Sequence, residues 1–269
     1  MLNESEKAKL ACEAYHFRAG LGMEIITGKG FRAIRDNDRR QVWDLNRIFD
    51  VTADTHDEIA LLMHAASSTF ELQGYNYFSI TPFTPPKFVA HLATEDFQEQ
   101  IPVVQMVLED DIKVPTPNGF KLFSVSSDEK WDILYELVRL DHIEGVRTGG
   151  QNLDEAFTQS VVEGYRRKSK SCQFFLAYLE DTACGYGSGT VVPNQMGMVE
   201  DLFTLPKFRR RGIASAVIAG CVQHVRDNGC DSVLIGSLVT EPPKHLYRKL
   251  GFRPVCLTRS FHKPLPTVA

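Results

Sequence analysis

The spacing of hydrophobic positions changes several times along the second half of this chain, and each change marks an element. Residues 120–125 read as a strand. Trp131, Leu134, Tyr135 and Val138 then recur at the spacing of one helix face, and residues 153–165 give a second helix. Residues 173–179 and 183–192 form two strands around a Glu180-Asp181 turn. Residues 196–205 alternate as a strand that Pro206 closes. Ala214, Val217, Ile218, Cys221, Val222 and Val225 line one face of a helix that stops at Asn228-Gly229. A buried strand at 232–239, a short helix around Leu246 and Tyr247, and a strand at 254–257 complete the order β-α-α-β-β-β-α-β-α-β.

The first half is less regular, yet it echoes the second. Thr84-Pro85-Pro86-Lys87 leads through a short helical stretch to Leu92 and Phe97, as Glu241-Pro242-Pro243-Lys244 leads to Tyr247 and Phe252. Each stretch follows a strand (75–80 and 232–239) and precedes another (101–108 and 254–257). Upstream, residues 30–35 read as a first strand and 56–70 as a helix. An internal repeat is therefore expected; the pattern also allows an unrelated N-terminal domain. Residues 111–119, with two prolines and a glycine, are the best linker candidate, which separates residues 1–110 from 120–269.

A basic turn stands between the strand at 196–205 and the helix that follows it. There, Phe208-Arg209-Arg210-Arg211-Gly212-Ile213-Ala214 leads straight into the helix. A helix N-terminus offers unpaired N–H groups and the positive end of a dipole, which suits phosphate. Gly212 lets the backbone approach a ligand, and the arginines add charge. The segment resembles the acyl-CoA signature of the GNAT N-acetyltransferase superfamily, here Arg209-x-x-Gly212-x-Ala214. Glu200-Asp201-Leu202-Phe203-Thr204-Leu205-Pro206 resembles that family's pantetheine strand, and Leu246-Tyr247-Arg248-Lys249-Leu250-Gly251-Phe252 its terminal helix.

The resemblance implies an α+β sandwich, with a mixed, mostly antiparallel sheet flanked by helices. It also implies acetyl-CoA as co-substrate, a catalytic domain at 120–269 and a degenerate GNAT-like half at 1–110. The first half has no Arg-x-x-Gly-x-Ala loop and carries Leu92 where the second has Tyr247.

The same resemblance assigns candidate roles. Glu200 is the candidate base for an ammonium with pKa of about 10, with Asp201 turned to the opposite face of the strand. The Leu202 N–H is the oxyanion donor, and the main chain of Leu202, Phe203 and Thr204 pairs with pantetheine. Tyr247 is the acid for the leaving thiolate. Arg209, Arg210, Arg211, Gly212, Ile213, Ala214 and Ser215 form the phosphate cradle, although not all three arginines can face a ligand. Thr240 stands where many relatives carry an asparagine that holds pantetheine. The expected acceptor is a small-molecule primary amine; a peptide or protein amine, or a CoA-binding module without turnover, are the alternatives.

Composition narrows the remaining classes. A net charge of −4 supplies no basic excess for general nucleic-acid binding. No run approaches the roughly 18 apolar residues of a membrane span, and the first twenty residues contain no apolar signal core. The six scattered cysteines have no metal-binding spacing and read as buried thiols of a reducing compartment. A cytoplasmic, metal-free monomer or homodimer is expected. Gly185-Tyr186-Gly187-Ser188-Gly189 matches neither a dinucleotide fingerprint nor a nucleophile elbow, and reads as a strand with room for a close-lying ligand. No Ser/His/Asp arrangement stands out along the sequence.

Overall fold

The structure, a computed structural model, describes residues 3–40, 42–147 and 153–265. The elements run α1 (Glu4–Gly20), β1 (Glu24–Gly28), β2 (Phe31–Arg35), β3 (Arg47–Phe49), α2 (His56–Thr69), β4 (Tyr75–Ile80), α3 (Pro86–Thr94), β5 (Gln98–Glu99) and β6 (Val103–Leu108). They continue with β7 (Phe120–Ser124), α4 (Asp128–Arg147), α5 (Glu155–Lys168), β8 (Cys172–Leu179), β9 (Thr182–Val191), β10 (Met196–Thr204), α6 (Ile213–Asp227), β11 (Ser232–Leu238), α7 (Pro243–Lys249) and β12 (Arg253–Pro264).

The chain forms two compact units that are not consecutive in sequence. One comprises Met1–Gln105, Ser237–Lys244 and Pro254–Ala269; the other comprises Met106–Gly236 and His245–Arg253. A single cut near residue 110 therefore does not describe the packing. The C-terminal strand belongs with the first unit because β12 pairs antiparallel with β4, from Ile80↔Arg259 to Tyr75↔Pro264.

In the first unit, β1, β2 and β3 form an antiparallel meander, α2 crosses over, and β4 lies parallel to β3 through Ile48↔Phe78. Phe78 anchors the core beneath α2 and α3, with Phe88 and Phe97 edge-on to its ring at 5.2 and 5.6 Å. Leu62 and Leu92 are fully buried in the same cluster.

Helix α1 buries Ala8, Ala11, Cys12, His16 and Ala19, a face of mostly small residues. Its start is a capping box: the Asn3 side chain accepts from the Glu6 N–H at 2.9 Å, and the Glu6 carboxylate accepts from the Asn3 N–H at 2.8 Å. The unit also joins three residues that show no relation in sequence. His16 Nδ1 lies 3.0 Å from Asp50 Oδ1, and His16 Nε2 lies 3.4 Å from Ser79 Oγ. Ser79 is 1% exposed in the middle of β4, so no substrate carbonyl reaches it. The network satisfies a buried imidazole and is no nucleophilic triad.

The second unit repeats that order and extends it. Strands β7 to β10 are antiparallel neighbours, α6 crosses over, and β11 lies parallel to β10. Adjacent residues of β8 face opposite layers, as strand geometry requires. Phe174 packs against Trp131 of α4 and Tyr165 of α5, at 5.6 and 4.6 Å, while Phe175 meets His224 of α6 at 5.4 Å.

The glycines of β9 have a structural reason. A Cβ on Gly187 would lie 2.6 Å from Val217 Cγ1 and 2.9 Å from Leu202 Cδ2, and one on Gly189 would lie 3.2 Å from the Cys221 carbonyl. Gly197 of β10 meets Val225 in the same way. Val217, Cys221 and Val225 recur every four residues, so one ridge of α6 beds into a glycine groove. The space expected for a ligand along β9 is filled by this helix.

Candidate active site

Strand β10 does two unusual things in sequence. Its parallel ladder with β11 runs only from Met196↔Ser232 to Val199↔Ile235, and Glu200 to Thr204 continue past it. Against β9 its register jumps from Glu200↔Ser188 to Phe203↔Tyr186. Two residues, Asp201 and Leu202, thus oppose the single Gly187: a β-bulge, with Asp201 in the left-handed region at φ 54°.

The bulge overturns the simple alternation that turned Asp201 away. The buried Ser188 hydroxyl lies 2.7 Å from Asp201 Oδ2 and 3.1 Å from the Glu200 carbonyl. Leu202 lays its side chain over Gly187 beside Val217, and Phe203 is buried 5.7 Å from the Tyr186 ring. Glu200 is half-buried in the segment that runs past β11.

One acidic residue of this region escaped the sequence reading. The buried Tyr186 phenol donates to Asp141 Oδ2 of α4 at 2.8 Å. Burial holds the Asp141 carboxyl above its usual range, which the Tyr186 bond only partly offsets. Its helical position between Leu137 and Glu144 resembles any solvated acid in sequence, and the partner lies 45 residues away.

The loop after β10 is built by its backbone. Arg210 takes φ 63° and Gly212 φ 80°, two left-handed turns that bring the chain into α6. Gly212 is the N-cap and supplies no side-chain cap, so Ile213, Ala214 and Ser215 form an uncapped first turn. The arginines divide their roles. Arg209 turns back, donating to the Thr204 carbonyl at 3.0 Å and to Glu144 at 3.4 Å. Arg210 and Arg211 are exposed, with the Arg211 guanidinium 5.7 Å from the Phe208 ring centre.

The expected linker is a strap along α6. Arg226, at the end of the helix, pairs with Asp111 and donates to the carbonyls of Glu109 and Asp110. At the other end, Pro117 Cγ would lie 3.4 Å from a Cβ on Gly212. A cavity of about 590 Å³ remains between them, lined by Ile112, Val114, Phe120, Leu122, Ala219 and Gly220.

Tyr247 lies on α7 and is buried, its ring 6.3 Å from Phe252. Thr240 is exposed in the turn after β11 and belongs to the first compact unit. Among the described residues, no group of three or more His, Cys, Asp or Glu side chains is placed to hold a metal, and no helix is long and apolar enough to cross a membrane.

Residues 131–252 match the Acetyltransferase (GNAT) family. That segment is a GNAT acetyltransferase domain, the domain of an acyltransferase. No curated protein matches the chain. Solved structures resemble it over nearly its whole length. A GCN5-related N-acetyltransferase from Kribbella flavida is 14% identical with a TM-score of 0.72, over 97% of this chain and 96% of that one. A GCN5-related N-acetyltransferase from Sphaerobacter thermophilus is 13% identical with a TM-score of 0.64, over 89% of this chain and 78% of that one. A tandem GNAT protein from the clavulanic acid biosynthesis pathway is 13% identical, also with a TM-score of 0.64, over 89% of this chain and 79% of that one. The GNAT fold and its meander–helix–strand order, present in both units, agree with the sequence expectation of an α+β sandwich.

Proposed function

We propose that the second unit transfers the acetyl group of acetyl-CoA directly to a primary amine of a small molecule. The observation that carries this reading is the uncapped start of α6 behind two left-handed residues, next to a strand segment that runs beyond its parallel neighbour. The donors there suit a pyrophosphate, and among the described residues the only contact within 4 Å of a Cβ on Gly212 would be Pro117. The corresponding helix of the first unit does not fit. Thr55 Oγ1 accepts from the Glu58 N–H at 3.3 Å, and Glu58 accepts from the N–H groups of Asp54 and Thr55 at 3.1 Å each. Those bonds hold Glu58 below the usual carboxylate range, so a negative charge already occupies that helix start.

Acetyl-CoA supplies the thioester. Ile213, Ala214 and Ser215 hold its phosphates by their N–H groups, with Arg210 and Arg211 adding charge. The main chain of Leu202, Phe203 and Thr204 pairs with the pantetheine amides. Glu200 takes the proton from the acceptor ammonium, the Leu202 N–H steadies the oxyanion, and the Tyr247 phenol protonates the departing sulfur. The compartment we assign is the cytoplasm.

Titrating acetyl-CoA calorimetrically into the wild-type protein and a Gly212→Glu variant tests the assignment. Saturable binding at one site per chain, lost in the variant, is the expected result and licenses a screen of small primary amines. Absence of binding by the wild type refutes it.

A further inference from the structure

Two thiols far apart in sequence meet inside the first unit. Cys12 Sγ on α1 and Cys256 Sγ on β12 lie 3.8 Å apart across a sequence separation of 244 residues. Cys172, Cys184, Cys221 and Cys230 are buried in addition to Cys12, whereas Cys256 is half-buried. Of the six cysteines, Cys256 is therefore the one a dissolved reagent reaches, and Cys12 stands directly behind it. Cys256 thus departs from the expectation that all six thiols are buried.

We propose that Cys12 and Cys256 form a redox modification site, at which a low-molecular-weight disulfide such as glutathione disulfide converts the pair to an intramolecular disulfide. The site is independent of the acetyl-transfer reading.

The Cys12 S–H bond to Cys256 favours the Cys256 thiolate and holds that thiol below its ordinary range, with burial in partial opposition. The same bond, together with burial, pushes the Cys12 thiol up. Cys256 is thus the attacking sulfur and Cys12 the resolving one. In the first step the Cys256 thiolate attacks one sulfur of glutathione disulfide. That S–S bond breaks, and one glutathione leaves as thiolate and takes up the proton Cys256 gave to water. In the second step Cys12 loses its proton and attacks Cys256 Sγ, expelling the second glutathione, which is protonated in turn. Two protein thiols are oxidised and one glutathione disulfide is reduced to two thiols. Bond formation requires the sulfurs to close from 3.8 Å to about 2.0 Å. The product ties the first helix to the last strand.

The test uses the full chain, incubated with glutathione disulfide at mildly alkaline pH, then denatured, alkylated and mapped by mass spectrometry. The expected product has four alkylatable thiols and a tryptic link between residues 10–18 and 250–259. Cys12→Ser should stop at a single glutathione adduct on Cys256, and Cys256→Ser should not react. A melting temperature higher for the oxidised than the reduced wild type is also expected. Six alkylatable thiols in the wild type, a persistent Cys256–glutathione adduct, or a link between another pair would each overturn the proposal. The wild-type map decides without the variants, so a poorly folded variant does not blur the answer.

Discussion

Replacing Gly197 by alanine tests how closely α6 lies on its sheet. The new Cβ would stand 2.4 Å from Val225 Cγ2 and 2.7 Å from Val225 Cβ, where carbon atoms need about 3.5–4.0 Å. Rotating Val225 relieves the first contact but not the second, because Cβ is fixed to the helix backbone. Val225 is fully buried, so α6 itself has to move by about 1 Å. Overpacking of this kind costs about 1–3 kcal/mol, and alanine returns about 0.5–1 kcal/mol through its lower entropy cost in a strand. A net loss of about 1–2 kcal/mol lowers the melting temperature by roughly 2–8 °C in a chain of this size. At Gly187 the obstructing atoms are ends of the Val217 and Leu202 side chains, which can turn aside, so Gly187→Ala should cost less. Gly189→Ala, with its nearest atoms at 3.2 Å, should come close to neutral. Gly145 lies in the last turn of α4 with nothing within 4 Å of a Cβ among the described residues, so Gly145→Ala should gain up to about 1 kcal/mol. Thermal and denaturant unfolding followed by circular dichroism ranks the four. A Gly197→Ala protein that melts at or above the wild type would refute the bedded-ridge account of this glycine-rich sheet.

Three other perturbations have defined outcomes. Glu200→Gln should lower kcat for an acceptor amine by about 10²–10⁴-fold and leave acetyl-CoA affinity unchanged, read by steady-state kinetics beside calorimetry; an unchanged kcat removes Glu200 as the base. Burial first, with the Tyr186 bond opposing it, raises the folded pKa of Asp141. The native state then holds its proton longer, so stability falls as pH rises from about 3.9, the unfolded value, through the raised folded one. Asp141→Asn should flatten that limb of the stability–pH curve, and Tyr186→Phe should extend it to higher pH. Burial lowers the folded pKa of His16, although Asp50 opposes the shift. Stability from that group is complete above about 6.5 and is lost as pH falls toward the folded value, and His16→Gln should abolish the dependence in denaturant titrations across that range.

What could be read from the sequence followed the strength of each periodic signal. The second half was legible because β8 to β11 and α6 carry long apolar runs, and the turn at 209–214 carries both charge and glycine. In the first half, β1 and β3 escaped notice. Ile25 of β1 is 51% exposed, which leaves no buried alternation to detect, and β3 spans only three residues. Helix α1 was missed because its buried face is mostly alanine, with Cys12 and His16, which contributes little hydrophobic contrast. At the site, the Asp201 orientation could not be foreseen, since a bulge changes facing without changing residue type. Asp141 was invisible for a different reason: its environment is supplied by a tyrosine on another element.

The two units share an architecture yet differ in what their crossover helices can bind, and the difference lies in the cap at each helix start. Each incoming strand ends near an aspartate in the left-handed region, Asp50 at φ 52° and Asp201 at φ 54°, so the kink before the crossover is present in both. Beyond it the chemistry diverges. Thr55 takes up the Glu58 N–H, and the Glu58 carboxylate takes up the N–H groups of Asp54 and Thr55 just ahead of α2, a capping box that stabilises the helix and adds negative charge at its start. Gly212 forgoes that stabilisation and leaves the start of α6 without a side-chain cap, beside exposed arginines. A helix that caps itself gains stability and loses an anion site, and one that does not makes the opposite exchange. On the proposed reading, the cofactor therefore belongs to the second unit because of its cap. The first unit's corresponding crossover would acquire phosphate affinity only if Thr55 and Glu58 were removed together, since either one alone still occupies a donor.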